Sequence, residues 1–232
     1  MRYLIATDSF KGSLTSMEAA ACMQEGIQRV FPDADIRMMP AADGGEGTVA
    51  TILAGLPGRA ITETVQDPLG RPVEATFAVL ETGEAVIEMA QASGLLLVEA
   101  AQRDVLSAST YGTGQLIRKA LDLGCRKICI GIGGSATNDA GAGMAQALGI
   151  RFIAEDGSEL PPGGGALGRL AKLDCSGLDP RLAETEIIVM CDVNNPLCGP
   201  EGASYIYGPQ KGATPDMVLL LDENLRHFAD IV

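Results

Sequence analysis

The chain has 232 residues, 47% of them hydrophobic and 20% charged, with a net charge of −13. Its 17 basic residues form no cluster, which excludes the polycationic surface that nucleic acid or an anionic membrane requires. No apolar run approaches the roughly 20 residues that span a bilayer, and Met1-Arg2-Tyr3-Leu4-Ile5-Ala6-Thr7-Asp8 meets a charge too early for a signal peptide, so a cytoplasmic protein of one large or two small domains is expected.

Tyr3 to Thr7 reads as a first strand. Thr15 and Glu18 have the spacing of a capping box, which predicts a helix running to about Val30. Asp35 to Met39 reads as a strand and Gly47 to Leu53 as a helix, a β–turn–α repetition that argues for a parallel sheet. Around Asp67-Pro68-Leu69-Gly70 the pattern changes to alternation, with Ile61 to Val65 before the turn and Val73 to Phe77 after it. That predicts an antiparallel hairpin, continued by a strand at Ala85 to Met89. A helix over about Gln115 to Leu123, a strand over Lys127 to Ile132 and a helix over Ala140 to Leu148 restore the βα pattern. Glu186 to Cys191 reads as a buried strand. Thr214 as N-cap and Pro215 at the first helical position open a final helix, with Met217, Leu220, Leu221, Leu225, Phe228 and Ile231 on one face. It ends at Val232 without a capping glycine or polar tail, and the sequence is expected to be a fragment of a longer protein.

Six cysteines, at 22, 125, 129, 175, 191 and 198, form no CxxC pair and read as reduced buried thiols. The single histidine, His227, leaves a Ser-His-Asp triad and a His-rich zinc site without their residues. It reads as a surface or packing residue.

Five loops share a composition of Gly, Asp, Ser, Thr and Lys, and most follow a strand. They are Asp8-Ser9-Phe10-Lys11-Gly12-Ser13, Asp43-Gly44-Gly45-Glu46-Gly47-Thr48, the stretch GIGGSATNDAGAG at 131–143, Asp192-Val193-Asn194-Asn195 and Tyr207-Gly208-Pro209-Gln210-Lys211-Gly212. In open α/β sheets ligands bind at the carboxyl ends of strands, so the five could converge on one cleft. Gly131-x-Gly133-x-x-Ala136 satisfies GxGxxA, and Glu155 stands where a dinucleotide fold wants an acid. A P-loop fits worse, since 131–143 contains no lysine. Close packing of a glycine-rich turn on the sheet explains Gly133, Gly134, Gly141 and Gly143. It does not explain the cluster Ser135, Thr137, Asn138 and Asp139. Free N–H groups, hydroxyls and a carboxylate together suit a phosphate with Mg²⁺. Phosphoryl transfer needs positive charge, which Lys11 and Lys211 can supply, and a metal ligand or base, for which Asp8, Asp43, Asp139 and Asp192 are candidates. Glu46 reads as helix N-terminal charge.

These same loops, together with Cys191-Asp192-Val193-Asn194-Asn195-Pro196-Leu197 and Gly208-Pro209-Gln210-Lys211-Gly212-Ala213, resemble the bacterial glycerate kinases of the first type. The resemblance runs from residue 1 to about 220. It implies ATP-dependent, Mg²⁺-dependent phosphorylation of D-glycerate, with 2-phosphoglycerate the favoured product. It also implies chains longer than this one. The fold class it implies is α/β, with two α/β domains and the active site in the cleft between them: a Rossmann-like parallel sheet with helices, begun by residues 1–66, and a second, mixed-sheet domain over 67–232. Carried over by position, Lys11, Asp43 and Asp192 would be catalytic. Asp8, Ser9, Ser13, Gly44, Gly45 and Lys211 would bind substrate. Gly133, Gly134, Ser135, Thr137 and Asn138 would bind ATP, and Asp139 and Asp192 would hold Mg²⁺. The residues themselves leave open which loop takes glycerate and which the nucleotide. A homodimer is entertained. The competing readings are an NAD-dependent oxidoreductase using the GxGxxA loop, against which the shortage of histidine counts, and a non-catalytic anion-binding module.

Overall fold

The computed structural model describes residues 1–8, 10, 13–39, 41–42 and 44–232. Among these residues it is a mixed α/β structure with three sheets. Strand β1 (Arg2–Ile5), helix α1 (Ser16–Val30) and strand β2 (Asp35–Met38) form a β–α–β unit whose strands pair in parallel, Arg2 against Asp35 through Ile5 against Met38. The capping box is present in full: Thr15 Oγ1 accepts the Glu18 N–H and the Glu18 carboxylate accepts the Thr15 N–H. This parallel pair is a sheet of its own.

Helix α2 (Thr48–Gly55) leads into the main sheet. Strands β3 (Gly58–Gln66) and β4 (Pro72–Leu80) pair antiparallel from Gly58 against Leu80 to Gln66 against Pro72. The turn between them is built by Asp67, whose carboxylate accepts the N–H groups of Leu69 and Arg71 and the Arg71 Nε. Strand β5 (Ala85–Glu88) pairs antiparallel with β4. After the short helix α3 (Ala90–Ser93) and helix α4 (Tyr111–Asp122), strand β6 (Lys127–Gly131) pairs parallel with β5. Alternate residues face opposite sides. Ala75, Phe77, Ala85, Ile87, Ile128 and Ile130 pack with Leu116, Ile117, Ala120 and Leu121 of α4. Ala78, Leu80 and Val86 pack with Val49 of α2. The sheet is thus covered by α4, with Ala92 of α3 beside it, on one face and by α2 on the other.

Helix α5 (Ala142–Ala147) follows β6, and strands β7 (Arg151–Ala154) and β8 (Leu170–Asp174) form a separate antiparallel pair. Strand β9 (Glu186–Met190) completes the main sheet, in the order β3-β4-β5-β6-β9, parallel to β6. The expected burial of β9 does not hold: Ile187 is 42% and Val189 53% exposed, because the strand lies at the sheet edge with β6 as its one paired neighbour. Helix α6 (Ala203–Tyr207) and helix α7 (Pro215–Ile231) follow. Leu221, Leu225, Phe228 and Ile231 of α7 join the cores as expected, but Leu220 is exposed and Val218 is buried in its stead. The buried stripe is therefore turned by about one residue at its start. His227 is a packing residue whose Nε2 meets the Leu170 carbonyl at 2.7 Å. The cysteines are free, but Cys22, Cys175 and Cys191 are exposed rather than buried, and only Cys125 is fully in the core. No helix among the described residues is long and apolar enough to cross a membrane.

Candidate functional site

The registers align Glu88, Gly131 and Met190 at the carboxyl ends of β5, β6 and β9. Two glycine-rich loops meet directly above them. The Gly133 N–H donates to the Gly44 carbonyl at 3.3 Å. A Cβ on Gly131 would lie 2.1 Å from Gly44 O, and one on Gly133 would lie 2.8 Å from Gly45 Cα. Gly44 itself has φ +89° and passes close to Met190 O. At this crossing backbone touches backbone, so side chains are sterically excluded.

Each loop is held by a buried acid. Glu88, 1% exposed, accepts the N–H groups of Gly47 and Val49 and the Gln91 amide. Helix α2 starts from Gly47 in the left-handed region with no side-chain cap of its own, and the Glu88 carboxylate supplies the missing acceptor and complements the helix dipole. Sequence reasoning missed Glu88. Its signal was an acid ending an apolar strand just before a turn. Asp139, also 1% exposed, holds the second loop: Oδ2 accepts the N–H and hydroxyl of Thr110 and the Gly143 N–H, while Oδ1 accepts the Gly141 N–H. It thereby joins the starts of α4 and α5. Ala140 beside it sits at φ 50°, a left-handed conformation that costs a non-glycine residue about 1–2 kcal/mol.

Lys211 approaches the same loop from the turn after α6. It is 7% exposed. Its Nζ donates to Ser135 Oγ at 2.8 Å and to the Thr137 carbonyl at 2.6 Å. Burial pushes the ammonium down to about 8, against the opposing pull of the nearby Asp139 carboxylate. Next to Thr137, the Asn138 amide donates to Ser204 Oγ at 2.9 Å. Gly134 lies in the left-handed region and its carbonyl accepts the Leu95 N–H.

The structure therefore brings together Gly44, Gly45, Gly133, Gly134, Ser135, Thr137, Asn138, Asp139 and Lys211. Ser13 lines a cleft of about 440 Å³ with Phe10, Leu14, Met17, Glu46 and Thr51, between the starts of α1 and α2. Asp8 follows the end of β1. Asp192 is exposed just beyond β9 and makes no side-chain hydrogen bond to any other described residue. Ser9, Lys11 and Asp43 lie outside the described residues. No group of three or more His, Cys, Asp or Glu that could hold a metal occurs among the described residues. The dinucleotide reading fails on topology. No helix follows the GxGxxA stretch until Ala142, and β7, which leads to Glu155, pairs with β8 rather than joining the main sheet beside β6.

A mixed sheet covered on both faces, with glycine-rich loops pinned over the carboxyl ends of its parallel strands, defines an α/β protein with a strand-end loop site. The chain matches the model of the glycerate kinase family over residues 3–232 and belongs to that family. It is 55% identical over 232 residues to the glycerate kinase of Bacillus subtilis (strain 168), covering 100% of this chain and 61% of that one. It is 50% identical over 233 residues to the glycerate 2-kinase of Escherichia coli (strain K12), with coverage of 100% and 61%. The crystal structure of a candidate glycerate kinase 2 from Salmonella typhimurium LT2 superposes with a TM-score of 0.87 at 50% identity, covering 100% of this chain and 62% of that one. The chain thus spans about three fifths of the length of the relatives it matches.

Proposed function

We propose that the whole protein is a glycerate kinase that transfers the γ-phosphoryl group of ATP to a hydroxyl of D-glycerate. Its family membership over residues 3–232, through a region that contains the paired loops, carries this reading. The 2-hydroxyl is the favoured acceptor, in keeping with the name of the Escherichia coli relative. The reaction forms a bond between that hydroxyl oxygen and phosphorus, releases ADP, and sheds the hydroxyl proton. Both substrates are anionic, so the protein's part is to supply donors and positive charge and to align the two oxygens.

In this reading the loops with Gly44, Gly45, Gly133, Gly134, Ser135, Thr137 and Asn138 surround the nucleotide and glycerate. Asp8, Ser9 and Ser13 approach from the loop after β1. Lys11 offsets charge on the carboxylate or the transferring phosphoryl group, and Asp43 orients the attacking hydroxyl. A boundary at 66/67 would cut the β3–β4 ladder, so the β1–α1–β2 unit is read as part of one domain and the main sheet, β3 included, as part of another, with the site between them. The protein is read as cytoplasmic, with a homodimer as the form that sedimentation of the full-length protein would test.

Mg²⁺ suits this chemistry because it is held by one or two carboxylates together with substrate phosphates and neutralises their charge. Asp192 fits as such a ligand, being exposed and uncommitted to other described side chains. Asp139 does not, since its oxygens already accept four donors. The test is ADP release by the full-length protein with D-glycerate, with the phosphorylated position read by NMR. Asp192→Ala should cut kcat/KM at least about a hundredfold and raise the Mg²⁺ requirement, while stability shifts by less than about 0.5 kcal/mol. ADP release that does not depend on glycerate would overturn the reading.

A further inference from the structure

The Lys211–Ser135 contact fixes more than a position. An ammonium has three donors and no acceptor, so Ser135 Oγ must accept in the 2.8 Å contact with Lys211 Nζ. That leaves the hydroxyl's own proton, and Ser135 Oγ has no other hydrogen-bond partner among the described residues. The backbone on either side is tied: the Gly134 carbonyl accepts the Leu95 N–H, and the Ala136 N–H donates to the Ser93 carbonyl. Lys211 is itself held by the Thr137 carbonyl, and its turn is tied by Arg103, whose Nη1 donates to the Gln210 carbonyl. Ser135 is half-buried beside exposed Gly134, just past the carboxyl end of β6. A hydroxyl that accepts from a cation is polarised into a stronger donor, and a phosphoryl or carboxylate oxygen is its natural acceptor.

We propose that Ser135 is an oriented hydrogen-bond donor to an anionic oxygen of the ligand bound beyond β6, and that Lys211 is the positioning residue that sets its orientation. This rests on the phosphotransferase reading, in which both substrates are anions. It departs from the sequence expectation that Lys211 itself binds substrate.

The test uses the full-length protein with Ser135→Ala, Lys211→Met and the double variant. Dissociation constants for Mg-ATP and D-glycerate are measured separately, alongside KM, kcat and melting temperature. Ser135→Ala should weaken one of the two ligands about tenfold or more, the size of a hydrogen bond to a charged group, and leave the other within about twofold. Lys211→Met should weaken the same ligand by no more than Ser135→Ala does, and the double variant should be no weaker than Ser135→Ala alone. Losses that multiply in the double variant would overturn the proposal, since Lys211 would then act on the ligand independently. Unchanged constants for Ser135→Ala would overturn it too. If Lys211→Met does not fold, Ser135→Thr, which keeps the hydroxyl, should recover most of the affinity lost in Ser135→Ala, and an equal loss in both would overturn it. Wild-type protein that binds Mg-ATP but releases no ADP with glycerate sinks the kinase reading, while the Mg-ATP constants still test the donor.

Discussion

The two loops that cross above β6 solve one problem with different means. Each brings helix starts and glycines over a strand end, and each needs a buried acceptor for backbone N–H groups. The first, 44–48, receives that acceptor from outside, from Glu88 on β5. The second, 131–143, carries its own in Asp139 and adds the ammonium of Lys211. Placing the acid within the loop lets it tie three chain segments: Thr110, the Gly141–Gly143 turn and, through charge, Lys211. A loop acid near glycines is therefore as ready to be structural as to hold a metal, and burial tells the two apart.

Removing the acids breaks the comparison most sharply. Asp139→Ala strands its donors in the interior and should cost about 3–5 kcal/mol, read by urea unfolding. A loss under about 1 kcal/mol would mean the carboxylate is not structural.

The next largest effect is on pH. Lys211 has a folded pKa of about 8 against an ordinary value of 10.5. The unfolded chain then binds more protons between those values, so the burial penalty is complete below pH 8 and is relieved as pH rises through the window. Measured against Lys211→Met, which cancels the other titrations, wild-type stability should rise by up to about 3 kcal/mol from pH 8 to 10.5. A flat or falling difference would place the ammonium in a better solvated setting.

Glu88→Ala should cost less than Asp139→Ala, about 2 kcal/mol, because it orphans fewer donors at the start of one helix. Equal losses at the two sites would erase the distinction between the loops. The smallest expected effect has the opposite sign: Ala140→Gly removes left-handed strain and should stabilise by up to about 1 kcal/mol, seen as a modest rise in melting temperature.

Local signals carried much of the fold. The Thr15–Glu18 box, the Asp67–Gly70 turn and the alternation on either side of it mark their elements within a few residues. The mispredictions are tertiary. Nothing in the run Glu186 to Met190 tells an edge strand from a central one, and at the start of α7 nothing in the chemically alike Val218 and Leu220 tells which of them is buried. The site divides the same way. Loop composition picked out Gly44, Ser135 and Lys211. Glu88 escapes it, because its partner N–H groups stand some 40 positions earlier in the chain, and the structural role of Asp139 is half-hidden: Gly141 and Gly143 are close by, but Thr110, which supplies two of its four donors, is 29 residues away.

The crossing of Gly44 over Gly131 has a consequence for anyone trying to evolve this site. Where two main chains touch, no side chain remains to be exchanged for another, and a Cβ 2.1 Å from a carbonyl oxygen has no compensating partner mutation. A saturation library at 131 should return glycine alone, whatever property is selected for. Side chains begin again only at Ser135, past the left-handed Gly134, and variation that the fold tolerates starts there.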